Sequence, residues 1–589
     1  MGIYLNGKRA YSLFQEDCAM TYYIDKTEML DEIVRILEQK GNAVEETGAF
    51  RGKKMKYLCV TRPRRFGKTM AANMIGAFFG KGADSSEEFV HLKVAGYGWF
   101  QKHLNQHNVI HIMFNELPEN RRSYEQYISR IKKGLIGDLR MAYPEIEIEK
   151  EDSVWDALTK VFEYGNGDKF IFVLDEWDYI YHQKFVTEEE KDDFTKFLSN
   201  LLKDKAYVEM AYMTGILPIA SACTAYRTQE SRDSFVDPSG ESLQAVFPAD
   251  GSYSSGSELN MFCEYTMVNE EKYNEYFGFT GEEVDALYER YQVQETGKQN
   301  ITREDLRLWY DGYHTKGGRR MYNPRSVVLA LSNNNLGNYW TNSGPYDELF
   351  YYIGANVDEV KEDVGLMIAD IPVPARVQEY AATSMELKTK DEIFSAMVVY
   401  GFLNYEDGYV SIPNKELMGR FADMVQREPS LGNVYRLTRQ SGRMLMATKA
   451  GDTKTMTEIL QFVHNTESPL QVYSNEAELA SIIKWAYLQA IDYYRMERED
   501  KAGVGYVDYI FYPFRREDDA IILELKVNHT ADDAIRQIKE RQYALRFEGK
   551  IGEKPEYTGR ILAVGIAYDK DDRTKRHECK VEVLRERLN

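Results

Sequence analysis

The sequence is poor in the residues that build metal clusters and disulfides. Its 589 residues include five scattered cysteines and nine histidines, with no Cys-x-x-Cys pair and no histidine cluster. This pattern argues against a zinc site or a disulfide framework and predicts a reducing, cytoplasmic location. A run of about 18 apolar residues is also absent, so we expect no membrane-spanning segment. The first residues lack the apolar core of a signal peptide.

The chain also has fewer basic than acidic residues. The chain has 74 lysines and arginines against 94 aspartates and glutamates, which gives a formal net charge of −20. This balance counts against a protein that coats nucleic acid. It leaves room for a local basic groove, because partners sense the local potential rather than the total charge. At about 100–200 residues per domain, the length predicts about three to five structural units.

One stretch carries a phosphate-binding pattern. Thr61 to Thr69 reads Thr-Arg-Pro-Arg-Arg-Phe-Gly-Lys-Thr, with a short apolar strand predicted before it and a buried helix after it. In such a loop the main-chain N–H groups around Gly67 attract phosphate, Lys68 adds positive charge, and the Thr69 hydroxyl can ligate Mg²⁺. Arg62 stands where the usual pattern has its first glycine. The loop alone therefore leaves an ordinary strand-to-helix turn as an equal alternative.

A second stretch places acids at the end of an apolar strand. Lys169 to Asp178 reads Lys-Phe-Ile-Phe-Val-Leu-Asp-Glu-Trp-Asp, which predicts a central parallel strand with carboxylates at its C-terminal edge. There Asp175 would complete the Mg²⁺ shell and Glu176 would polarise the attacking water. Thr214, at the end of a later predicted strand, could sense the γ-phosphate. The alternative is a buried strand whose acids only begin a turn.

These motifs resemble a known family. Tyr23-Ile-Asp-Lys-Thr27, the loop from Arg62 to Thr69 and Leu174-Asp-Glu-Trp-Asp178 are similar to the bacterial AAA-ATPase-like family that carries a C-terminal PD-(D/E)XK nuclease domain. In that family the loop reads Arg-Pro-Arg-Arg-Phe-Gly-Lys-Ser/Thr, so its first arginine is a family trait. The resemblance covers nearly the whole chain and implies ATP and Mg²⁺ as cofactors. We take Arg62, Arg64 and Arg65 as candidates for phosphate contact, in cis or from a neighbouring subunit of a homo-oligomer.

The C-terminal part contains a second candidate site. Residues 503–513 and 520–527 predict a β-hairpin. Strand alternation places Glu524 and Lys526 on one face, and Asp508 of the first strand converges with them if the hairpin presents the same side. Two carboxylates and a lysine are what a metal-dependent nuclease needs, with the carboxylates as Mg²⁺ ligands and the lysine on the attacking water. Taken alone, the pattern is also typical of a surface hairpin.

The order of the surrounding elements supports the nuclease interpretation. An amphipathic helix is predicted over 531–545 and a core strand over 560–568. This order is similar to the αβββαβ core of the PD-(D/E)XK superfamily. The resemblance implies Glu476, on a helix predicted over 475–494, as an additional metal ligand, and Gln537 as a polar residue near the active site.

The expected fold class is α/β. It combines a P-loop NTPase (AAA-like) domain, built on a parallel sheet with a helical lid, and a C-terminal PD-(D/E)XK restriction-endonuclease-like α/β domain. Between two parts of the family pattern runs a segment rich in Ser, Asp and Gly, which we interpret as a flexible insertion. The predicted parts are a leader (1–50), the ATPase core (51–256, with the insertion at about 221–253), the lid region (257–420), a helical connector (421–470) and the nuclease-like domain (471–589).

Three functions remain open at this point. The first is an ATPase fused to a metal-dependent nuclease, in which ATP controls cleavage of DNA or RNA. The second is a nucleotide-dependent switch or scaffold whose nuclease-like domain binds nucleic acid or protein without cutting. A component of mobile elements or phage defence is a third, suggested by similar architectures rather than by residues.

Overall fold

The computed structural model describes most of the chain in two compact units. The described residues are 2–38, 55–118, 123–219, 259–293, 299–340, 358–368, 371–377, 387, 389–427, 432–467, 476–502, 505–547, 557–571 and 577–588. The first unit comprises Met1–Ala355 and Pro374–Asn414, and the second comprises Asn356–Val373 and Lys415–Asn589. The predicted insertion at about 221–253 lies outside the described residues.

The helices and strands follow one another along the chain. The α-helices are α1 (Arg9–Cys18), α2 (Met29–Glu38), α3 (Lys68–Phe79), α4 (Ser86–Phe89), α5 (Phe100–His103), α6 (Tyr124–Ala142), α7 (Val154–Tyr164), α8 (Glu188–Leu202), α9 (Gly281–Val293), α10 (Arg303–Tyr310), α11 (Pro324–Asn333), α12 (Asp358–Ile368), α13 (Lys390–Tyr400), α14 (Lys415–Arg427), α15 (Gly432–Ala450), α16 (Thr453–Glu467), α17 (Glu476–Ala486) and α18 (Ala531–Glu540). The strands are β1 (Tyr57–Thr61), β2 (Asn108–Met113), β3 (Phe170–Asp175), β4 (Val208–Gly215), β5 (Cys263–Tyr265), β6 (Tyr313–His314), β7 (Arg320–Met321), β8 (Val373–Pro374), β9 (Asn404–Glu406), β10 (Tyr409–Ser411), β11 (Tyr494–Ala502), β12 (Gly505–Pro513), β13 (Ala520–Val527), β14 (Ile561–Tyr568) and β15 (His577–Arg585).

The first unit is organised around a five-stranded parallel sheet. Its strand order is β2-β3-β4-β1-β5, and every pairing is parallel. Strands β1 and β3 are buried along their whole length, which explains why both read as continuous apolar runs rather than as alternating patterns. Parallel pairing brings the C-terminal ends of β1, β3 and β4 to one edge of the sheet, where the loop and the acids lie. The predicted P-loop NTPase-like α/β fold is therefore confirmed.

The N-terminal segment is part of the first unit. Leu5 forms an antiparallel bridge with Ile110 at the outer edge of β2. Helix α1 lies close against α3, where a side chain on Gly76 would meet the Cβ of Ala10 at 2.8 Å. The described part of the segment predicted as a leader therefore helps to hold the helix that follows the loop.

The second unit contains a five-stranded mixed sheet. Its order is β11-β12-β13-β14-β15, with β13 and β14 parallel and the other neighbours antiparallel. The predicted hairpin corresponds to β12 and β13. The helix predicted over 475–494 is interrupted and ends earlier, because α17 ends at Ala486, a 3₁₀ helix follows over Leu488–Asp492, and Tyr494 begins strand β11. The observed sequence α17, β11, β12, β13, α18, β14 supplies all six elements of the predicted αβββαβ core.

No helix in the described part of the chain has both the length and the apolar character needed to cross a membrane.

Candidate nucleotide and metal sites

The loop between β1 and α3 turns through left-handed backbone. Gly67 has φ +90° and immediately precedes the first residue of α3. A Cβ at this position would meet no atom within 4 Å, so the backbone conformation, and not lack of space, calls for glycine. Arg65 also has positive φ, at 68°. The sequence Arg65-Phe-Gly-Lys68 therefore bends the chain sharply and points it into the helix N-terminus, where main-chain N–H groups favour anions.

The loop borders a cleft of about 740 Å³ within the first unit. The polar lining includes loop residues 64–69 and Glu176, and the apolar lining includes Tyr22, Ile24, Met29, Phe279 and Val328. A cleft that offers both a phosphate-binding loop and an apolar surface has room for the phosphates and the base of a nucleotide.

The Lys68 ammonium is held by the loop itself. Its Nζ donates hydrogen bonds to the carbonyl oxygens of Arg62 at 2.9 Å and Pro63 at 2.8 Å. Burial lowers the pKa of Lys68 to about 8, although nearby carboxylates oppose this shift. The side chain therefore stays mainly protonated at neutral pH, and its charge lies inside the loop where phosphate would bind.

Asp175 is a fully buried carboxyl at the end of β3. Neither of its oxygens makes a hydrogen bond of normal geometry within the described residues. Burial, followed by the negative charge of Glu176, raises the pKa of Asp175 to about 7, while the Thr69 hydroxyl and the Lys68 charge act to lower it. Buried carboxylate oxygens near a threonine hydroxyl suit a hard cation, so the predicted ligands Thr69 and Asp175 fit Mg²⁺.

Glu176 and Asp178 follow the same strand but differ in surroundings. Glu176 lines the cleft and has a strained backbone with φ 52°. Asp178 is 2% exposed, and its Oδ2 accepts hydrogen bonds from the main-chain N–H groups of Ile216 (2.9 Å) and Leu217 (2.8 Å). Although burial acts to raise it, the pKa of Asp178 is lowered, chiefly by His182 and by the Leu217 N–H group. Asp178 also lines the cleft, but its Oδ2 is engaged by the chain that leaves β4, whereas Glu176 is the more exposed of the two acids.

Two of the residues predicted to contact phosphate have side chains that are buried and hydrogen-bonded to other protein groups. The Thr214 side chain is fully buried, and its hydroxyl donates to the carbonyl oxygen of Val60 at 2.8 Å. The Arg62 guanidinium is also buried and binds protein groups. Arg64 and Arg65 border the cleft, and Nη1 of Arg65 donates to the carbonyl oxygen of Trp340 at 2.6 Å. Phosphate contact by these four residues stays a prediction, and Arg64 and Arg65 are the better placed for it.

The cleft also includes residues to which the sequence assigned no definite role. Arg325 is exposed at the start of α11 and lines the cleft. Its position follows from an N-terminal signal in the sequence, since the Asn323 side chain caps the helix and Pro324 is its first residue. Tyr22 and Ile24 come from the predicted leader, where nothing in their pattern indicated a cleft.

The second candidate site lies on the sheet of the second unit. Strands β12 and β13 pair so that Tyr509 faces Leu523, which places Asp508 opposite Glu524. The Oδ2 atom of Asp508 accepts a hydrogen bond from the main-chain N–H of Leu525 at 2.7 Å. The predicted convergence of the two acids is therefore observed.

Glu524 is the buried centre of this site. It is 3% exposed, and its Oε2 has no hydrogen-bond partner among the described residues. Its Oε1 receives hydrogen bonds from Lys526 Nζ at 3.2 Å and from the Gln537 side chain. Burial, followed by the charge of Asp508, raises the pKa of Glu524 to about 7, and Lys526 partly offsets the shift. Two facing carboxyls with one unpartnered oxygen fit a Mg²⁺ ion, with Lys526 beside them.

A glycine allows Gln537 to reach this site. Gly565 of β14 pairs with Glu524 across the parallel ladder. A Cβ on Gly565 would lie 2.4 Å from the carbonyl oxygen of Ala531 and 3.0 Å from the Cβ of Ala534. Helix α18 therefore lies directly against the backbone of β14, and this close approach places its Gln537 at Glu524.

Glu476 is the third metal ligand predicted for the second site. Glu476 is the first residue of α17, and its side chain lies outside the described residues. Within the described part of the chain, no group of three or more His, Cys, Asp and Glu side chains could hold a metal ion. The candidate metal site consequently rests on Asp508 and Glu524, and the role of Glu476 stays a prediction.

Comparisons with known proteins place both sites in recognised domains. Residues 50–223 match the family described as predicted AAA-ATPase, and residues 474–578 match the PD-(D/E)XK nuclease superfamily. None of the curated proteins matches the chain.

Two solved structures are similar to the chain. One is a Walker-type ATPase of Pyrococcus abyssi, with 12% identity, a TM-score of 0.34, and coverage of 67% of this chain and 95% of that one. The other is the ORC2 protein of Aeropyrum pernix in ADPNP–ADP complexes, with 11% identity, a TM-score of 0.29, and coverage of 67% and 98%. At these TM-scores neither structure informs on function. The two family matches and the two sheets agree that the chain joins a predicted AAA-ATPase domain to a C-terminal domain of the PD-(D/E)XK nuclease superfamily.

Proposed function

We propose that the first unit binds and hydrolyses ATP with Mg²⁺, and that this reaction controls the action of a metal-dependent nuclease domain on DNA or RNA. The observation that carries the ATPase part is the cleft in which the loop, Lys68 and Glu176 converge above the buried Asp175. A homo-oligomer and a cytoplasmic location remain predictions from the sequence.

Each residue at the cleft has a chemical task in this proposal. The N-terminus of α3 and the Lys68 ammonium bind the outer phosphates. Thr69 and Asp175 hold Mg²⁺, which neutralises charge on the phosphates. Glu176 orients the attacking water and accepts its proton, for which its exposure to the cleft suits it. The apolar lining from Tyr22, Ile24 and their neighbours receives the base.

The ATPase test uses paired lysine variants of the full-length protein. We expect Mg²⁺-dependent phosphate release that Lys68→Ala abolishes. Lys191→Ala is the matched control, because Lys191 is equally buried (6% exposed, as is Lys68) but pairs with Glu188 on α8, away from the cleft lining. Glu176→Gln should bind ATP and fail to hydrolyse it. An intact protein that neither binds nor hydrolyses ATP would refute this half of the proposal.

For the nuclease half, Asp508 and Glu524 hold one or two Mg²⁺ ions. The bound metal supplies an activated water and charge neutralisation at the scissile phosphate. Lys526 orients that water, and Gln537 fixes the Glu524 carboxyl in place through its hydrogen bond. The facing carboxyls, with the unpartnered Oε2 of Glu524, are the observation that supports this assignment.

The nuclease test compares single-stranded, duplex and branched DNA and RNA, with and without ATP. We expect cleavage that needs Mg²⁺, depends on ATP, and is lost in Asp508→Asn and Glu524→Gln. Asp532→Asn is the control, since Asp532 is an exposed acid of α18 paired with Lys580. Cleavage that survives both active-site changes would show that these acids are misassigned. ATP-dependent capture of a partner without any cleavage would favour the switch or scaffold instead.

A further inference from the structure

Arg62 occupies the position of the first glycine of the usual loop, and the structure shows where its side chain goes. The guanidinium is 1% exposed. Its Nη1 donates to the carbonyl oxygens of Thr61 (2.7 Å) and Tyr265 (2.8 Å), and its Nη2 donates to Oδ1 of Asn274 (2.8 Å). The Phe277 ring lies 5.1 Å from the guanidinium carbon. The side chain therefore binds a segment about two hundred residues further along the chain.

The acceptor group in that segment is also held by other hydrogen bonds of the same side chain. The Nδ2 atom of Asn274 donates to the carbonyl oxygens of Glu270 at 2.7 Å and Met267 at 3.3 Å. With both amide hydrogens used, Oδ1 is fixed as an acceptor pointing at the guanidinium. The backbone just before it is constrained too, because Tyr273 has φ 69°. These contacts define a socket that consists of Tyr265, Asn274 and Phe277.

The far end of the loop contacts the same segment. The carbonyl oxygen of Phe66 accepts a hydrogen bond from the main-chain N–H of Gly278 at 3.1 Å. Gly278 has φ +85°, and a Cβ there would lie 3.2 Å from the Phe66 ring. Residues 265–278 thus hold the loop at Arg62, before its bend, and at Phe66, within the bend.

We propose that Arg62 is a positioning residue, and that it couples the conformation of the phosphate-binding loop to the segment from Tyr265 to Gly278. This inference rests on the proposed nucleotide site and adds a control point to it. A loop that begins with glycine is free to adopt many conformations. Here a buried cation locks the loop start, and the Arg62 carbonyl oxygen is also an acceptor for Lys68. Movement of the segment would therefore change the loop and its lysine together.

The decisive experiment replaces Arg62 by glycine, the residue that the usual phosphate-loop pattern has at this position. Nucleotide affinity is measured by equilibrium titration of folded protein with ATP and Mg²⁺, well below the unfolding temperature. We expect Arg62→Gly to weaken binding about tenfold or more, because the apparent dissociation constant rises as the competent fraction of loop conformations falls. Arg62→Lys should also weaken binding, since one ammonium cannot serve the separated acceptors of the socket. Lys68→Ala is run in parallel and should lose binding whatever the role of Arg62.

A socket variant keeps the test informative if Arg62→Gly fails to fold. Asn274→Ala leaves the loop sequence intact and should weaken ATP binding in the same direction. Combined with Arg62→Lys, its effect should be clearly less than additive, because both changes break one contact. A purely structural role would lower the unfolding temperature and leave the affinity of the folded molecules unchanged.

The outcomes separate this inference from the proposed function. If Lys68→Ala loses binding while Arg62→Gly and Asn274→Ala bind like the unmodified protein, the coupling is refuted and the ATP site stands. If the unmodified protein binds no ATP, the proposed function itself fails. Arg130→Ala serves as the arginine control, because Arg130 pairs with Glu116 and lies outside the cleft lining.

Discussion

The close contact at Gly565 makes a quantitative prediction about the second unit. In Gly565→Ala the new methyl group would lie 2.4 Å from the carbonyl oxygen of Ala531. Non-bonded atoms settle near 3.5 Å, so helix α18 would have to retreat by about 1 Å. The obstructing atom belongs to the main chain of a capped helix and has no alternative rotamer.

The expected cost follows from two opposing effects. Overpacking of this kind costs about 1–3 kcal/mol. Replacing glycine in a strand returns about 0.5–1 kcal/mol, because the unfolded chain loses conformational freedom. We therefore expect Gly565→Ala to lower the free energy of unfolding of the second unit by about 1–2 kcal/mol. The retreat of α18 would also move Gln537 away from Glu524 and weaken any cleavage that depends on that carboxyl.

Hydrogen–deuterium exchange on the full-length protein can measure this change. Exchange of peptides from β12–β14 reports the opening free energy of that sheet without requiring the whole chain to unfold in one step. Gly419→Ala is the matched control, because Gly419 lies within α14 and a Cβ there would meet no atom within 4 Å. That control should stabilise its helix by about 1 kcal/mol. The same sign for both variants would refute the close approach of α18 to β14.

Three further expectations concern His577, Asp138 and Glu176. Burial, aided by the charge of His464, lowers the pKa of His577 from 6.5 to about 3. The unfolded chain therefore takes up the proton first, and the stability of the second unit should fall by up to about 1.4 kcal/mol per pH unit as the pH drops below 6.5. His577→Gln should flatten that slope in the same exchange measurement. Asp138 accepts hydrogen bonds from the N–H groups of residues 3–5 at 2.6–3.0 Å. Asp138→Ala should therefore lower the free energy of unfolding by about 3 kcal/mol and make the N-terminal segment sensitive to limited proteolysis. An N-terminal segment that stays protected would contradict this expectation. Glu176→Gly should relieve the left-handed backbone strain and raise the free energy of unfolding by about 1 kcal/mol. The same change should end ATP hydrolysis, and hydrolysis that is retained would show that Glu176 has no part in the mechanism.

The local patterns in the sequence predicted the elements that bear the two sites. The apolar runs before Arg62 and Asp175 are β1 and β3, and the hairpin around Asp508 and Glu524 is β12 and β13. These predictions succeed because each depends on neighbouring residues: a strand buried on both faces must be apolar throughout, and alternation fixes which residues share a face. To predict that Asp508 and Glu524 face each other, only the register of one hairpin had to be known in addition.

Contacts between distant parts of the chain could not be predicted from the sequence. The motif makes Arg62 a candidate for phosphate contact, whereas the hydrogen bonds of its guanidinium go to Thr61, Tyr265 and Asn274. Strand β11 was missed for a different reason. Its sequence, Tyr-Arg-Met-Glu-Arg-Glu-Asp-Lys-Ala, is mostly charged, as the edge position in the sheet order allows. A charged edge strand carries little of the apolar alternation by which strands are recognised.

The acids of one short motif show how structure separates roles that sequence cannot. Asp175 and Asp178 are both buried aspartates. The pKa of Asp178 is lowered, since main-chain N–H groups and His182 hold its negative charge, and that aspartate stabilises the fold. The pKa of Asp175 is raised to about 7, so keeping it ionised above that pH costs the folded state on the order of 4 kcal/mol. Glu524 carries a similar cost, and its Oε2 has no hydrogen-bond partner within the described residues. Such carboxyls do not contribute to stability on their own, and a bound cation would offset the cost of each. The two sites thus share one physical signature in two unrelated sheets, and cation binding at either should release protons below about pH 7.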